Sequence, residues 1–198
     1  MSKGADTRER ILDRAFRLAG RDGLYGLSIG GLAGELGLSK SGLFAHFGSK
    51  EDLQIEVLRL AVQRFEQEVM RPAFRAPRGE PRIRRWFENW MAWLSDPATP
   101  GGCVMLTAAV ELDDREGRLR DFLAGKQRQL FEGLTRAARL AIEVGHFRPD
   151  LDGEQFGFEI FGILGGYNHF RRLLRDPRAK DRAQAAFEQC LAAARQRV

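Results

Sequence analysis

Residues 28–47 read SIGGLAGELGLSKSGLFAHF, and their spacing predicts two short helices meeting at a sharp turn. Leu32, Leu36, Leu38 and Leu43 fall where such a pair buries its apolar sides, and Ala33 falls where a larger side chain would push the second helix off the first. Gly37 follows four residues after Ala33, at the reversal, where glycine tolerates the positive φ that such a turn needs. Ser39 then offers a hydroxyl to the free amides of a new helix. A small residue, a turn glycine four positions on and an apolar residue six after that is the helix-turn-helix spacing. The same residues also describe a glycine-rich loop between two core helices, because Gly26, Gly30, Gly31, Gly34, Gly37, Gly42 and Gly48 crowd the region.

Upstream, Ile11, Leu12, Ala15, Phe16, Leu18 and Ala19 repeat at helical period. They predict a helix capped near Asp6, with Glu9 at the reciprocal position, that ends around Arg21 before Gly23. Arg8, Arg10, Arg14, Arg17 and Arg21 lie largely off that stripe, on what is usually a solvated face, with one or two of the early ones in reach of phosphates. Downstream, Ser49 and Asp52 form a capping-box pattern before a long helix to about Met70. Leu53, Val57, Leu60 and Ala61 make one stripe on it, and Ile55, Leu58, Val62, Phe65 and Val69 a second, so it reads as a connector between a head and a body.

Pro72, Pro77, Gly79 and Pro81 break the pattern, and Ile83, Trp86, Phe87, Trp90 and Leu94 then repeat at three and four, giving a helix with an aromatic face. The loop DPATPGG at 96–102 precedes a short apolar helix from Cys103 to about Leu112, and a long one follows from about Arg118 to Val144, stopped by Gly145 and Pro149. Asp152, with Gln155 at the reciprocal position, caps a helix lined by Phe156, Ile160, Ile163, Leu164 and Tyr167. Along it Gly157, Gly162, Gly165 and Gly166 permit close helix approach. After Asp176 and Pro177 a last helix carries Ala179, Ala183, Ala186, Phe187, Cys190, Leu191 and Ala194. No strand pattern occurs, and the expected fold is all-α with about nine helices: a three-helix head over 1–50, then a linker helix and a body over 51–198.

The chain has 198 residues, 43% of them hydrophobic, enough for a sizeable core. Its net charge of +5 suits a polyanionic partner, although 32 basic residues face 27 acidic ones. The surplus is denser at the front, where residues 1–50 hold 8 Lys and Arg against 5 Asp and Glu. No apolar run approaches the roughly 20 residues of a membrane span, and MSKGADTRER lacks the apolar core of a secretory signal. The expectation is a cytoplasmic protein with no membrane partner. Cys103 and Cys190 have no nearby Cys or His at metal-ligand spacing and read as buried small hydrophobes, with redox sensing by Cys103 a lesser alternative. His46, His146 and His169 are scattered, Asp113 and Asp114 sit at a helix end, and no nucleophile elbow, phosphate loop or metal motif appears. The chain is therefore expected not to be an enzyme and to need no metal or cofactor.

Read in order, TRERILDRAFRLAGRDGLYGLSIGGLAGELGLSKSGLFAHFGSKEDL, residues 7–53, resembles the tetracycline-repressor (TetR) family of transcription regulators, most specifically in SKSGLFAHFGSKEDL. The stretch GGCVMLTAAVELDD, residues 101–114, is more loosely similar to one branch of that family. The resemblance implies a ligand-responsive regulator, in the usual case a repressor. Its homodimer would place two heads in successive major grooves of a palindromic double-stranded DNA operator, and a small molecule bound in the body would release it. It implies phosphate contact by Ser28 at the start of the second helix. The groove set is Lys40, Ser41 and Gly42 behind the cap Ser39, with backbone phosphates held by His46 and Lys50 and base readout assigned to Lys40.

Two departures stand out. Phe44 occupies a position where the family commonly has tyrosine, and the expectation is that it only packs. Gly30 and Gly31 stand where larger polar residues are usual, at about 1 kcal/mol each relative to alanine, which predicts a second helix that is loose until DNA orders it. For the body, the resemblance implies that the last two helices pair with their twins in a four-helix bundle. A largely apolar effector would be lined by Trp86, Trp90, Met105, Phe131, Phe161 and Tyr167, with His169 as a polar contact. A competing reading is an all-α small-molecule carrier or protein-interaction adaptor that has kept the head and lost DNA binding.

Overall fold

A computed structural model describes residues 3–97 and 102–195. Among them every regular element is a helix, and the only extended pairing is an isolated antiparallel bridge between Phe147 and Arg195. The order is α1 (Lys3–Asp22), α2 (Ile29–Glu35), α3 (Lys40–Phe47), α4 (Lys50–Phe65), a π-helical turn (Glu66–Met70), α5 (Arg71–Phe74) and α6 (Glu80–Ser95). Then follow α7 (Val104–Leu112), α8 (Arg118–Glu143), α9 (Gly153–Arg172) and α10 (Ala179–Ala194). The segments from Lys50 to Phe74 are consecutive, and counted as one run they bring the described helices to nine. The π turn precedes Pro72, which has no N–H for the carbonyl four residues back, so the helix widens where its ladder must break. Of the expected 96–102 loop, residues 98–101 lie outside the described residues.

The chain divides into two compact units, Met1–Phe65 with Ser95–Lys126, and Glu66–Leu94 with Gln127–Val198. In the first, Ile11, Ala15, Phe16 and Ala19 of α1 are buried with Leu32 and Ala33 of α2, Leu43 and Phe47 of α3, and Leu53, Val57, Leu58 and Ala61 of α4. Leu36 and Leu38 are only half-buried, because they flank the reversal at the surface. The first helix begins at Lys3 rather than at an Asp6 cap: Asp6 lies inside the first turn, where its carboxylate faces the positive end of the helix dipole. Of the expected Ser49–Asp52 box only the first half forms, the Asp52 amide donating to Ser49 Oγ at 3.0 Å; the hydroxyl donates to the Asp52 carboxylate at 2.6 Å, while the Ser49 amide donates to the Phe47 carbonyl at 2.8 Å.

In the second unit the aromatic face of α6 is core. Phe87 stacks on Phe187 of α10 at 3.9 Å between centroids, Trp90 meets Phe161 of α9 edge-on at 6.2 Å, and Trp86 meets Phe74 edge-on at 5.6 Å. Asp152 caps α9 by accepting from the Glu154 and Gln155 amides, while the Gln155 side chain donates to Glu159 instead of returning to the cap. Gly157 faces α8, where a Cβ would lie 3.4 Å from Leu134 Cβ and from the Phe131 ring, but Gly162, Gly165 and Gly166 have nothing within 4 Å of that position. Arg84 pairs with Glu80 and Glu188, and Arg195 donates to Glu80 at 2.6 and 2.9 Å, tying the end of α10 to the start of α6. The Arg195 and Arg84 guanidiniums hold the Glu80 carboxyl down at about 2. Both cysteines are buried, and burial, with a hydrogen bond donated to Glu159, pushes the Cys190 thiol up to about 12.

Candidate nucleic-acid interface

The head is shaped by three serine caps and one reversal. Ser28 Oγ accepts from the Gly31 amide at 3.2 Å and starts α2. At the other end the Leu36 and Leu38 amides both donate to the Ala33 carbonyl, and Gly37 holds φ +66° between them, the left-handed conformation its position predicts. Ser39 Oγ accepts from the Gly42 amide at 3.0 Å and lies 3.1 Å from Ser41 Oγ, which fixes the first turn of α3. Gly48, at φ +73°, ends that helix.

Because α3 buries Leu43 and Phe47, its remaining residues turn outward. Lys40, Ser41, Phe44 and Ala45 are exposed, and Gly42 and His46 are half-buried. Phe44 does not pack inside the head: its ring is 41% exposed, one helical turn beyond Lys40 on the same face. Gly30 also has a structural reason. A Cβ on it would come 3.0 Å from Lys40 Cε, so the lysine stem lies along α2 and would have to give by a few tenths of an ångström, whereas a Cβ at Gly31 would meet only ordinary contacts with Ser28.

The electrostatics favour an anion. Glu35 is the one carboxylate between Ser28 and Lys50, and the Arg14 guanidinium beside it holds it below the usual carboxylate range. On α1, Arg8 pairs with Glu56 at 2.7 Å, Arg17 with Asp13 at 3.1 Å and Arg21 with Asp22 at 2.7 Å. Arg10 is exposed and has no carboxylate partner among the described residues.

The segment between α1 and α2 is held by Lys50 and by three residues that sequence reasoning did not select, Gln54, Glu111 and Arg115. Gln54, buried on α4, donates to the Leu24 carbonyl at 2.8 Å, and Lys50 Nζ donates to the Tyr25 carbonyl at 3.1 Å. Glu111, on α7, accepts from the Leu24 amide at 3.0 Å and from the Tyr25 amide at 2.8 Å, and the Arg115 guanidinium lies 4.1 Å over the Tyr25 ring. The contacts span 86 and 87 residues of chain and leave no local signature. Gly23, at φ +84°, is the trace they leave in the sequence, since any Cβ there would overlap Glu111 Oε1.

Of the effector candidates, Trp86, Trp90 and Tyr167 are buried in the second unit with Phe131 and Phe161 half-buried there, while Met105 is buried on α7 in the first. His169 is exposed, so the polar contact expected of it inside the body is absent. The buried polar atoms are elsewhere. Trp86 Nε1, Asn168 Oδ1 and Arg171 Nε have no hydrogen-bond partner, and Arg171 otherwise donates to the Leu94 carbonyl at the end of α6. A shallow apolar groove of about 250 Å³ lies between α9 and α10, lined by Ile163, Tyr167, Phe170 and Ala183 among others. Among the described residues no cluster of side chains is suited to a metal ion, and no helix is long and apolar enough to cross a membrane.

Residues 11–57 match the bacterial regulatory proteins of the tetR family, and residues 79–187 match the tetracyclin repressor-like C-terminal domain. A curated relative from Bacillus subtilis, the uncharacterized HTH-type transcriptional regulator YezE, is 25% identical over 131 residues, covering 64% of this chain and 68% of the relative. A TetR transcriptional regulator from Chloroflexus aurantiacus superimposes with a TM-score of 0.85 at 24% identity, over 97% of this chain and 96% of that one. AibR, solved with isovaleryl coenzyme A and operator DNA, superimposes with a TM-score of 0.76 at 20% identity, over 92% and 96%. At those identities the two solved structures speak to the fold.

Proposed function

Because this chain belongs to the TetR family of bacterial transcriptional regulators, we propose that it works as a homodimer on a palindromic operator, represses there, and lets go when a small molecule binds its helical body. The observation that carries this reading is the Ser39-capped helix α3, anchored inward by Leu43 and Phe47 and turning Lys40 and Ser41 outward. Lys40 is the base reader, because an ammonium donates to guanine O6 and N7, while Ser28, His46 and Lys50 hold phosphates and Gly42 lets the backbone approach. Two heads would meet half-sites about 34–36 Å apart. Lys40→Ala, tested by anisotropy on a duplex selected from the source genome, is expected to lose about 1–3 kcal/mol of discrimination at one base pair of each half-site. An unchanged base preference overturns the assignment.

Support for the dimer comes from α9, where Phe158, Gly162, Gly165, Gly166 and Leu173 leave an exposed face of small and apolar groups. Such a face, left bare in one chain, suits close packing against a second copy. Sedimentation is expected to give a dimer at micromolar concentration, and a monomer there counts against the reading. The effector is inferred to be largely apolar, since the second unit offers it Trp86, Trp90, Phe131, Phe161 and Tyr167. The unpartnered atoms of Trp86, Asn168 and Arg171 support a ligand with one hydrogen-bonding end.

A further inference from the structure

We propose that Glu111 is a positioning residue for DNA binding, acting through Tyr25 on the ammonium of Lys50. The two amides that follow the end of α1, those of Leu24 and Tyr25, both donate to the Glu111 carboxylate, one to each oxygen. The peptide joining Leu24 to Tyr25 is thereby held at both ends, its N–H by Glu111 and its carbonyl by Gln54 Nε2. Tyr25 is fixed further by Arg115 over its ring, so the direction of its own carbonyl is set, and that carbonyl is the acceptor for Lys50 Nζ. An ammonium has three donors. One is spent on Tyr25, which leaves two for a phosphate at the start of α4.

Gly23 is part of the same device. Its φ of +84° is one that residues with a side chain rarely adopt, and a Cβ there would lie 2.3 Å from Glu111 Oε1, so a substitution at this position strains the backbone and displaces the carboxylate. Lys50 by itself is a flexible stem whose immobilisation costs side-chain entropy. Tethering it to a carbonyl already held in place keeps the ammonium at the start of α4, so that loss of the tether loses the phosphate contact with it.

The inference rests on the reading of Lys50 as a phosphate contact, and the test separates the two. The full-length protein is titrated onto a mixed-sequence duplex of about 30 base pairs over a range of salt, because phosphate contacts govern non-specific binding and each contributes about 0.9 to the slope of log affinity against log salt. Lys50→Gln should lower that slope by about 1 per bound head and weaken binding about eightfold at 0.1 M salt. Glu111→Gln should do the same although residue 111 carries no positive charge, and the double variant should show no further fall. If Glu111→Gln fails to give a cooperative unfolding transition, Glu111→Asp, which keeps the charge and shortens the reach, carries the same expectation. A Glu111 variant that loses thermal stability while keeping the wild-type salt slope overturns the proposal and leaves Glu111 a structural clamp. An unchanged slope in Lys50→Gln overturns the phosphate reading and the proposal together.

Discussion

Glu80 shows how much one side chain can be asked to hold. Its carboxylate, 16% exposed, receives Arg195 and Arg84 together, and its proton is lost at about 2 rather than at the ordinary 4.5. A carboxyl with a depressed value contributes its stability fully above the ordinary one and loses it as pH falls toward the folded one. The second unit should therefore weaken between about pH 4.5 and pH 2, with no contribution from this group to any change above pH 4.5. Denaturation midpoints followed across that window in wild type and Glu80→Gln check this: the variant should be less stable at neutral pH and show a shallower acid slope. Burial of Cys190 works in the opposite direction, since a thiol at about 12 stays protonated and inert at neutral pH.

At the scale of elements, α2 is the odd one, with three glycines in the seven residues Ile29–Glu35. The three do not have the same reason. Gly30 makes room for Lys40, but a Cβ at Gly31 meets only ordinary contacts and one at Gly34 meets nothing within 4 Å. Gly31→Ala and Gly34→Ala should each stabilise the head by about 0.5–1 kcal/mol through helix propensity, read from amide exchange in α2, whereas Gly30→Ala should gain less because the lysine stem must move. Equal gains at all three positions would mean that Gly30 has no special role.

Elements were legible where the signal is local. The caps Ser39, Ser49 and Asp152 and the stripes of α1, α4, α6 and α10 lie within a few residues of what they specify. Asp6 misled because a capping pattern does not forbid a helix from starting earlier, and the π turn went unseen because Pro72 announces a break without saying how the ladder absorbs it. In the site, Lys40 and Lys50 could be chosen from the motif. Glu111 could not, because an acceptor 87 residues from its donor has no spacing to betray it. Phe44 was assigned to packing from the missing hydroxyl alone, and nothing in the sequence said which side of α3 its ring would take.

For the whole molecule, charge and apolar surface are distributed unevenly along the chain. The helix-turn-helix keeps a single carboxylate, already matched by Arg14, so its cations act on DNA with little internal competition. On α9, Phe158 is 66% exposed and Leu173 70%, more than a lone soluble chain needs to leave in water.

The gap at Gly30 reaches further than the helix that contains it. A recognition helix is the natural unit to graft when a regulator is to be retargeted, and α3 with its cap is short enough to move intact. Yet the stem of Lys40 runs along the other helix, past a residue that need never touch a base. A graft of residues 39–47 into a host bearing a larger side chain at the site of Gly30 would carry Lys40 and shift its stem. If Lys40 reads bases as proposed, the portable unit of specificity is the helix pair, 28–47, and a swap that leaves Gly30 behind should bind DNA with the host's affinity and neither protein's preference.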